Sequence, residues 1–213
     1  MTQSEFGLDA ARTAMVFFDA LNAYLHPEDP AKRAAIDALG IVPRFTRLNR
    51  AVRAAGIPVF YPAADHRPDL KDFASRVVDL DHDGQPGDPR PRMTKPPEVS
   101  VAGPAREVIP ELAPQPEDYM IKKHRWSSFF QTHLELSLRT RGIDTLMLAG
   151  GAVEVGIAST AYAARDLDFN IVILRDCCFS SRPDVEAIYM DRVFPIFARV
   201  LNADEAIGLI RPA

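Results

Sequence analysis

Residues 145–160, TLMLAGGAVEVGIAST, join an apolar run to a helical pattern through two glycines. The apolar half is typical of a strand buried on both faces, and the small residues that follow predict a helix. In a parallel α/β protein, the carboxyl end of a strand that leads into a helix is the usual place for chemistry. The first turn of this helix carries Glu154, Val155 and Gly156, and it offers no Ser, Cys or His. The segment therefore predicts the architecture of an active site without its nucleophilic side chain.

The rest of the chain repeats this alternation of buried strands and amphipathic helices. Strands are predicted at 13–20, 57–64, 118–123, 143–150 and 170–176. Helices are predicted at 42–56, 104–112, 127–142, 154–167 and 183–198. The segment 65–118 is irregular and rich in proline, which predicts a long surface excursion. We expect a single domain over 1–213 with a three-layer αβα, Rossmann-like α/β fold, in which helices cover both faces of a mostly parallel sheet.

Composition and charge exclude several classes of function. The 213 residues carry a net charge of -4, which gives no reason to expect nucleic acid or an anionic membrane as a partner. No apolar run approaches the roughly 18 residues of a membrane span, and the first residues lack the apolar region of a signal peptide. The adjacent Cys177 and Cys178 make a poor disulfide pair, which suits a reducing compartment. We expect a cytoplasmic protein that acts on a small molecule.

Two charged residues stand at the ends of predicted strands. Asp19 closes the run 13–20, where apolar neighbours raise a carboxyl pKa enough for proton transfer near neutral pH. An Asp in this position is equally typical of a side chain that caps a turn. Lys123 ends the strand at 118–123, and an inward-facing ammonium would hold Asp19 ionised or relay its proton. Lys122 and Lys123 point to opposite faces, so only one faces inward, and such pairs are usually solvated.

Backbone amides at the start of the helix from Val153 are a third candidate feature. They are placed to hold a developing oxyanion, and Gly156 lets a substrate approach the first turn. A glycine here is also typical of close packing between a helix and a strand. A metal site is not expected, because His66 is accompanied only by the adjacent Asp65 and no second His follows at ligand spacing. The chain has no G-x-G-x-x-G or Walker motif, so no cofactor is predicted.

Three motifs occur in order along the chain. They are VFFDALNAYL at 16–25, KHRWSSF at 123–129 and GGAVEVGIASTA at 150–161. Together they resemble the isochorismatase-like hydrolase superfamily, also called the cysteine hydrolase family, and the resemblance covers about residues 12–207. The family members commonly form homodimers or homotetramers, so the resemblance implies a homo-oligomer.

The resemblance implies a hydrolase whose usual nucleophile is replaced. In the family an Asp, a Lys and a Cys form a catalytic triad, and the Cys position falls on Gly156 here. Isochorismatases proper often carry Gly at this place and hydrolyse a vinyl ether without an acyl-enzyme. Their Asp protonates the methylene carbon, and water adds to the resulting oxocarbenium centre. By resemblance, Asp19 is the general acid and Lys123 orients it and tunes its pKa.

The resemblance also implies which residues form the pocket. A cis peptide is expected between Gly151 and Ala152, and Gly156 is expected to make room for substrate. The isochorismatases proper carry a Gln after the second strand, where this chain has Ala64, so the bond type is better indicated than the substrate. The expected substrate-binding residues are Asn22, Trp126, Phe129, Gly151, Ala152 and Gly156.

Three functions stay open from the sequence. The first is an Asp19–Lys123 hydrolase of a vinyl ether or another acid-labile bond. The second is an amide or C–N hydrolase in which water, Cys177 or Cys178 replaces the missing thiolate. The third is a non-catalytic homologue that kept the pocket for binding. The retention of both Asp19 and Lys123 argues mildly against the third, because an idle buried ion pair costs stability.

Overall fold

A six-stranded parallel sheet forms the centre of the molecule. The computed structural model describes residues 7–69, 71–72, 103–180 and 182–211. The sheet has the order β4-β3-β2-β5-β6-β7, and every neighbouring pair is parallel, while β1 and β8 form a separate two-stranded parallel sheet. The strands are β1 (Leu8–Asp9), β2 (Thr13–Phe18), β3 (Val59–Ala64), β4 (Tyr119–Lys123), β5 (Thr145–Gly151), β6 (Asn170–Phe179), β7 (Arg199–Leu201) and β8 (Ile210–Arg211).

Helices lie on both sides of this sheet. A π-helical turn, Val153–Ile157, leads directly into α5, and a second one, Tyr189–Val193, follows α6. Within the described ranges, no helix combines the length and the apolar content that crossing a bilayer requires. The α-helices are α1 (Asn22–Leu25), α2 (Pro30–Leu39), α3 (Ile41–Ala54), α4 (Leu134–Thr140), α5 (Ala158–Asp166), α6 (Pro183–Ile188) and α7 (Ala203–Leu209).

Strand β2 shows why the sheet needs two covering layers. All six of its residues are buried, and successive side chains point to opposite faces. Met15 and Phe17 belong to the core under α3 and α7, where the Phe17 ring lies 5.0 Å from that of Phe45. Val16 and Phe18 belong to the second core, under α4 and α5. The predicted three-layer αβα fold is therefore confirmed.

The predicted strands agree with the structure to within a few residues, whereas the helix predicted at 104–112 is wrong. Only the 3-10 turn Pro104–Arg106 forms there. Val108 instead pairs with Leu21 in an isolated antiparallel bridge, which keeps the backbone extended. Much of the predicted excursion at 65–118 lies outside the described residues.

Two further helices are shorter than predicted. The helix expected at 127–142 begins only at Leu134, because the Ser128 amide donates to the Thr160 hydroxyl on α5 and the chain turns to reach it. The helix expected at 183–198 passes through a π turn and ends in a 3-10 turn that contains Pro195. Proline has no amide hydrogen to continue the helical hydrogen bonds.

The parallel arrangement determines where the site lies. The carboxyl ends of parallel strands meet at one edge of a sheet, so the residues that follow β2, β3, β4 and β5 approach one another there. Along that edge, Phe18 stands opposite Gly150, and Ala64 stands opposite Lys123.

Candidate active site

Asp19 lies immediately after β2 at the carboxyl edge of the sheet. Its backbone leaves the strand with a φ of 46°, and its amide donates to the Pro62 carbonyl oxygen at 2.9 Å. This bond to the neighbouring strand fixes the residue beside β3. Asp19 is only 8% exposed, so its carboxylate is held in the protein interior and not in solvent.

Lys123, the last residue of β4, completes a buried ion pair. Its Nζ lies 3.0 Å from Asp19 Oδ2, and the residue is 5% exposed. The preceding Lys122 points to the other face, where its exposed ammonium lies 3.3 Å from Asp65 Oδ2. The alternation along the strand therefore directs Lys123, and not Lys122, toward Asp19.

Burial controls the proton affinity of Asp19. It raises the pKa of the carboxyl above its ordinary value, and the Lys123 ammonium and the Ala64 backbone partly oppose this shift. Among the described residues, Asp19 Oδ1 has no hydrogen-bond partner although it is buried. One oxygen is thus held by the ammonium, and the other can carry a proton to a ligand.

The ring of Phe18 fills the space beside Gly156. Gly156 is buried in the π-helical turn, and a Cβ built on it would lie 2.1 Å from Phe18 Cε1 and 2.3 Å from Cζ. The same ring lies under Lys123, with 4.5 Å from Nζ to the ring centroid. The aromatic ring therefore occupies the space that a side chain at position 156 would take, and substrate contact by Gly156 stays a prediction.

A cis peptide joins Gly151 and Ala152, as the resemblance implied. The Ala152 carbonyl accepts three amide hydrogen bonds from the following turn, including that of Gly156 at 3.0 Å. A Cβ on Gly151 would lie 2.5 Å from the Phe179 ring, so packing against β6 requires glycine there. The Gly156 amide is therefore used within the helix, whereas an oxyanion site at the amides that begin the turn at Val153 stays a prediction.

The remaining predicted pocket residues have contacts of their own. The Asn22 amide nitrogen donates to the Pro104 carbonyl oxygen at 3.0 Å and so ties α1 to the segment that follows residue 102. Trp126 is 51% exposed. The Phe129 ring packs against Phe169, which precedes β6 at the opposite edge of the sheet, with 5.8 Å between centroids. That contact packs Phe129 against the second core. Substrate contacts by Asn22, Trp126 and Phe129 stay predictions.

The structure adds two polar residues that sequence reasoning missed. The Tyr24 hydroxyl has a raised pKa, chiefly because of burial and then because of the Asp19 carboxylate, so it stays a protonated donor. Glu154 Oε2 is buried and has no hydrogen-bond partner in the part of the chain that the structure describes. Glu154 also helps burial to raise the pKa of Glu186 on α6. Tyr24 lies within the first motif and Glu154 within the third, and these positions were the signals available in the sequence.

Both cysteines are poor nucleophiles in this structure. Cys177 and Cys178 are buried in the two different cores, on opposite faces of β6. Burial raises the pKa of both thiols, which keeps them protonated at neutral pH.

Two histidines and a carboxylate form the one metal-compatible group among the described residues. His66 Nδ1 and His124 Nδ1 each lie 3.5 Å from an Asp72 carboxylate oxygen. Burial lowers the pKa of His66, which favours the neutral imidazole that a metal ion needs. Spacing along the sequence could not reveal this cluster, because its members come from separate segments. The absence of a bound metal stays a prediction.

Comparison with known proteins identifies the family. The sequence profile of the isochorismatase domain matches residues 13–205. The chain belongs to the isochorismatase family. Its members include amidohydrolases, and the chain is a hydrolase with the α/β fold of that family.

Relatives in the isochorismatase family match along most of the chain. The family protein YecD of Escherichia coli O157:H7 is 31% identical and covers 95% of this chain and 98% of its own. The ureidoacrylate amidohydrolase RutB of Methylobacterium radiotolerans is 30% identical over 83% of this chain and 70% of its own. An isochorismatase family structure from Burkholderia thailandensis is 27% identical, with a TM-score of 0.71 over 93% of this chain and 95% of its own.

Proposed function

We propose that this isochorismatase-family hydrolase cleaves a small molecule by proton transfer from Asp19, without a covalent enzyme intermediate. The observation that carries this is the buried Asp19–Lys123 pair, 3.0 Å apart, in a site where position 156 has no side chain. A carboxyl group whose pKa is raised by burial can act as a general acid closer to neutral pH than a solvated one.

A vinyl ether is the substrate class that best uses such an acid. Asp19 gives its proton to the terminal methylene carbon, and the electron pair of the C=C bond forms the new C–H bond. The positive charge that develops on the other carbon is shared with the ether oxygen. Water adds to this carbon and returns a proton to Asp19. The hemiketal then breaks its C–O bond as its hydroxyl proton passes to the leaving oxygen, which releases a ketone and an alcohol. No step needs a nucleophilic side chain.

Lys123 supports this reaction in two ways. Its Nζ binds Oδ2 of Asp19, which leaves Oδ1 as the oxygen that carries and delivers the proton. Its charge also opposes the effect of burial on the Asp19 pKa. Asp19 can therefore release its proton in each turnover, because the carboxyl group does not stay permanently neutral.

A second candidate reaction is hydrolysis of an amide or ureido C–N bond. The support is the 30% identity to ureidoacrylate amidohydrolases, including RutB of Agrobacterium fabrum, which covers 97% of this chain. Water is then the nucleophile, because Cys177 and Cys178 are buried and their thiols have raised pKa values. Asp19 acts first as the base for that water and then as the acid for the leaving nitrogen.

The test is an activity screen of small vinyl ethers against amides and ureides, using the native protein and Asp19→Asn. We expect turnover of a vinyl ether, and a loss of about 10²–10⁴-fold in kcat/KM for Asp19→Asn. Turnover of ureides alone would select the second reaction. An Asp19→Asn protein with full activity, or an acyl-enzyme found by intact mass spectrometry, contradicts proton transfer from Asp19 without a covalent intermediate.

A further inference from the structure

Phe18 is enclosed by two glycines at the centre of the site. Its backbone lies against Gly150 of β5, where a Cβ would come 1.9 Å from the Phe18 carbonyl oxygen. Its ring lies against Gly156 of the π-helical turn, where a Cβ would come 2.1 Å from Phe18 Cε1. Both distances are far below van der Waals contact, so neither position accepts a side chain while Phe18 keeps its place.

The same ring also contacts the lysine of the charged pair. The Lys123 ammonium lies 4.5 Å from the ring centroid, which is within the range of a cation–π interaction. Phe18 is 1% exposed, and it directly precedes Asp19 in the chain. The buried ring therefore lies against both the helix turn at Gly156 and the ammonium of Lys123.

The structure assigns to Phe18 the role that a side chain at position 156 would otherwise have. Its ring fills that volume, excludes a nucleophile from the helix turn, and holds Lys123 against Asp19 as a positioning residue. The exclusion follows from geometry alone. The positioning role rests on the proposed function of Asp19 as the proton donor.

The exclusion of a side chain at position 156 is tested by introducing Gly156→Ala into the native protein and into the Phe18→Val variant. In the native protein, the added methyl group meets the Phe18 ring, so we expect a lower melting temperature. With Phe18→Val, the ring is gone and alanine is the better helix former, so Gly156→Ala should raise the melting temperature. Gly208→Ala on α7 is the matched control, because its Cβ meets nothing within 4 Å, and it should act alike in both backgrounds. An equal shift for Gly156→Ala in both backgrounds overturns the assignment.

A second measurement uses Gly156→Cys and does not depend on any substrate. Combined with Phe18→Val, the introduced thiol has room, and we expect iodoacetamide to alkylate it, as located by peptide mass spectrometry. Its reaction should persist below the ordinary thiol pKa, because the Lys123 ammonium stabilises a thiolate. With Phe18 present, the single Gly156→Cys variant should misfold or react at least tenfold more slowly. A folded single variant that reacts as fast as the double variant overturns the exclusion.

The role of Phe18 in positioning Lys123 is tested by the pH dependence of kcat/KM in the Phe18→Leu variant. Leucine keeps much of the apolar volume but has no aromatic face for the ammonium. We expect kcat/KM to fall and its alkaline limb to move to lower pH, because water reaches the pair and burial raises the Asp19 pKa less. An unchanged alkaline limb overturns the positioning role. Full activity of Asp19→Asn would refute the proposed function instead, while the stability and alkylation results would still decide the exclusion.

Discussion

Among single residues, the proposed roles of Asp19 and Lys123 predict the pH range in which the protein works. A general acid must be protonated, so activity is present below the Asp19 pKa and is lost as the pH rises through it. Burial raises that pKa and Lys123 opposes the rise. We expect Lys123→Met to lower kcat and to move the alkaline limb of kcat/KM upward by about 1–3 pH units, because the opposing charge is removed.

The control for this shift is the neighbouring lysine. Lys122 has the same chemistry but points to solvent, where it pairs with Asp65 at 3.3 Å. Lys122→Met should leave the pH profile of kcat/KM in place. If the alkaline limb of kcat/KM in Lys123→Met stays at the same pH or moves to lower pH, the group that titrates is not Asp19.

Replacement of the two cysteines should leave the activity unchanged, in contrast to replacement of Lys123. Cys177 and Cys178 are buried, and their raised pKa values keep them as thiols. We expect the double variant Cys177→Ala/Cys178→Ala to keep kcat, at a cost of about 1 kcal/mol per site in the free energy of unfolding. The native enzyme should also keep its activity under iodoacetamide. Inactivation that follows alkylation of either thiol would place sulfur in the mechanism.

The sequence made the charged pair predictable but not the surroundings of the pair. Asp19 and Lys123 end predicted strands. Alternation along β4 allows only one of Lys122 and Lys123 to face inward, and the motif KHRWSSF, through the family resemblance, selects Lys123. The contact of Phe18 with Gly156 depends on the close approach of β2 and the turn after β5, which no local pattern encodes.

Among elements, the edge strand β4 shows how Lys123 is kept in position. Asp118 precedes this strand, and its side chain is 3% exposed. Its two carboxylate oxygens accept hydrogen bonds from Arg53 of α3, at 3.1 Å and 2.6 Å. Asp118→Asn removes the charge that a half-buried guanidinium needs, and we expect a loss of about 3 kcal/mol in the free energy of unfolding by urea.

A solvent-exposed ion pair is the matched control for Asp118. Asp37 lies 3.2 Å from Arg33 within α2, and both side chains are well exposed. Asp37→Asn should cost at most about 0.5 kcal/mol. Equal losses for the two variants would mean that burial adds nothing to the Arg53–Asp118 pair.

The strands were predicted better than the helices because their burial leaves a local pattern in the sequence. A strand buried on both faces is a continuous apolar run, and β2 and β5 appear as such in the sequence. The start of α4 depends instead on the hydrogen bond from Ser128 to Thr160, a partner 32 residues away. Short helices whose ends are set by tertiary contacts leave little trace in local periodicity.

For the whole molecule, the lowered pKa of a buried histidine predicts a link between folding and pH. His66 is 8% exposed, and burial lowers its pKa below the ordinary value. Asp72 raises this pKa, whereas His124 and Arg125 lower it. Because the unfolded chain binds the proton more tightly, stability is full above the unfolded pKa of about 6.5 and falls as the pH drops below it.

The His66→Gln variant tests this link by urea unfolding between pH 7.5 and 5.5. The native protein should lose up to about 1.4 kcal/mol per pH unit through this one group, and His66→Gln should show a flatter dependence. His133→Gln is the control, because His133 is exposed beside Ser137 on α4 and should keep the native slope. If His66→Gln and the native protein show the same slope, the acid sensitivity arises at other groups, and the His66–Asp72–His124 cluster does not couple folding to pH.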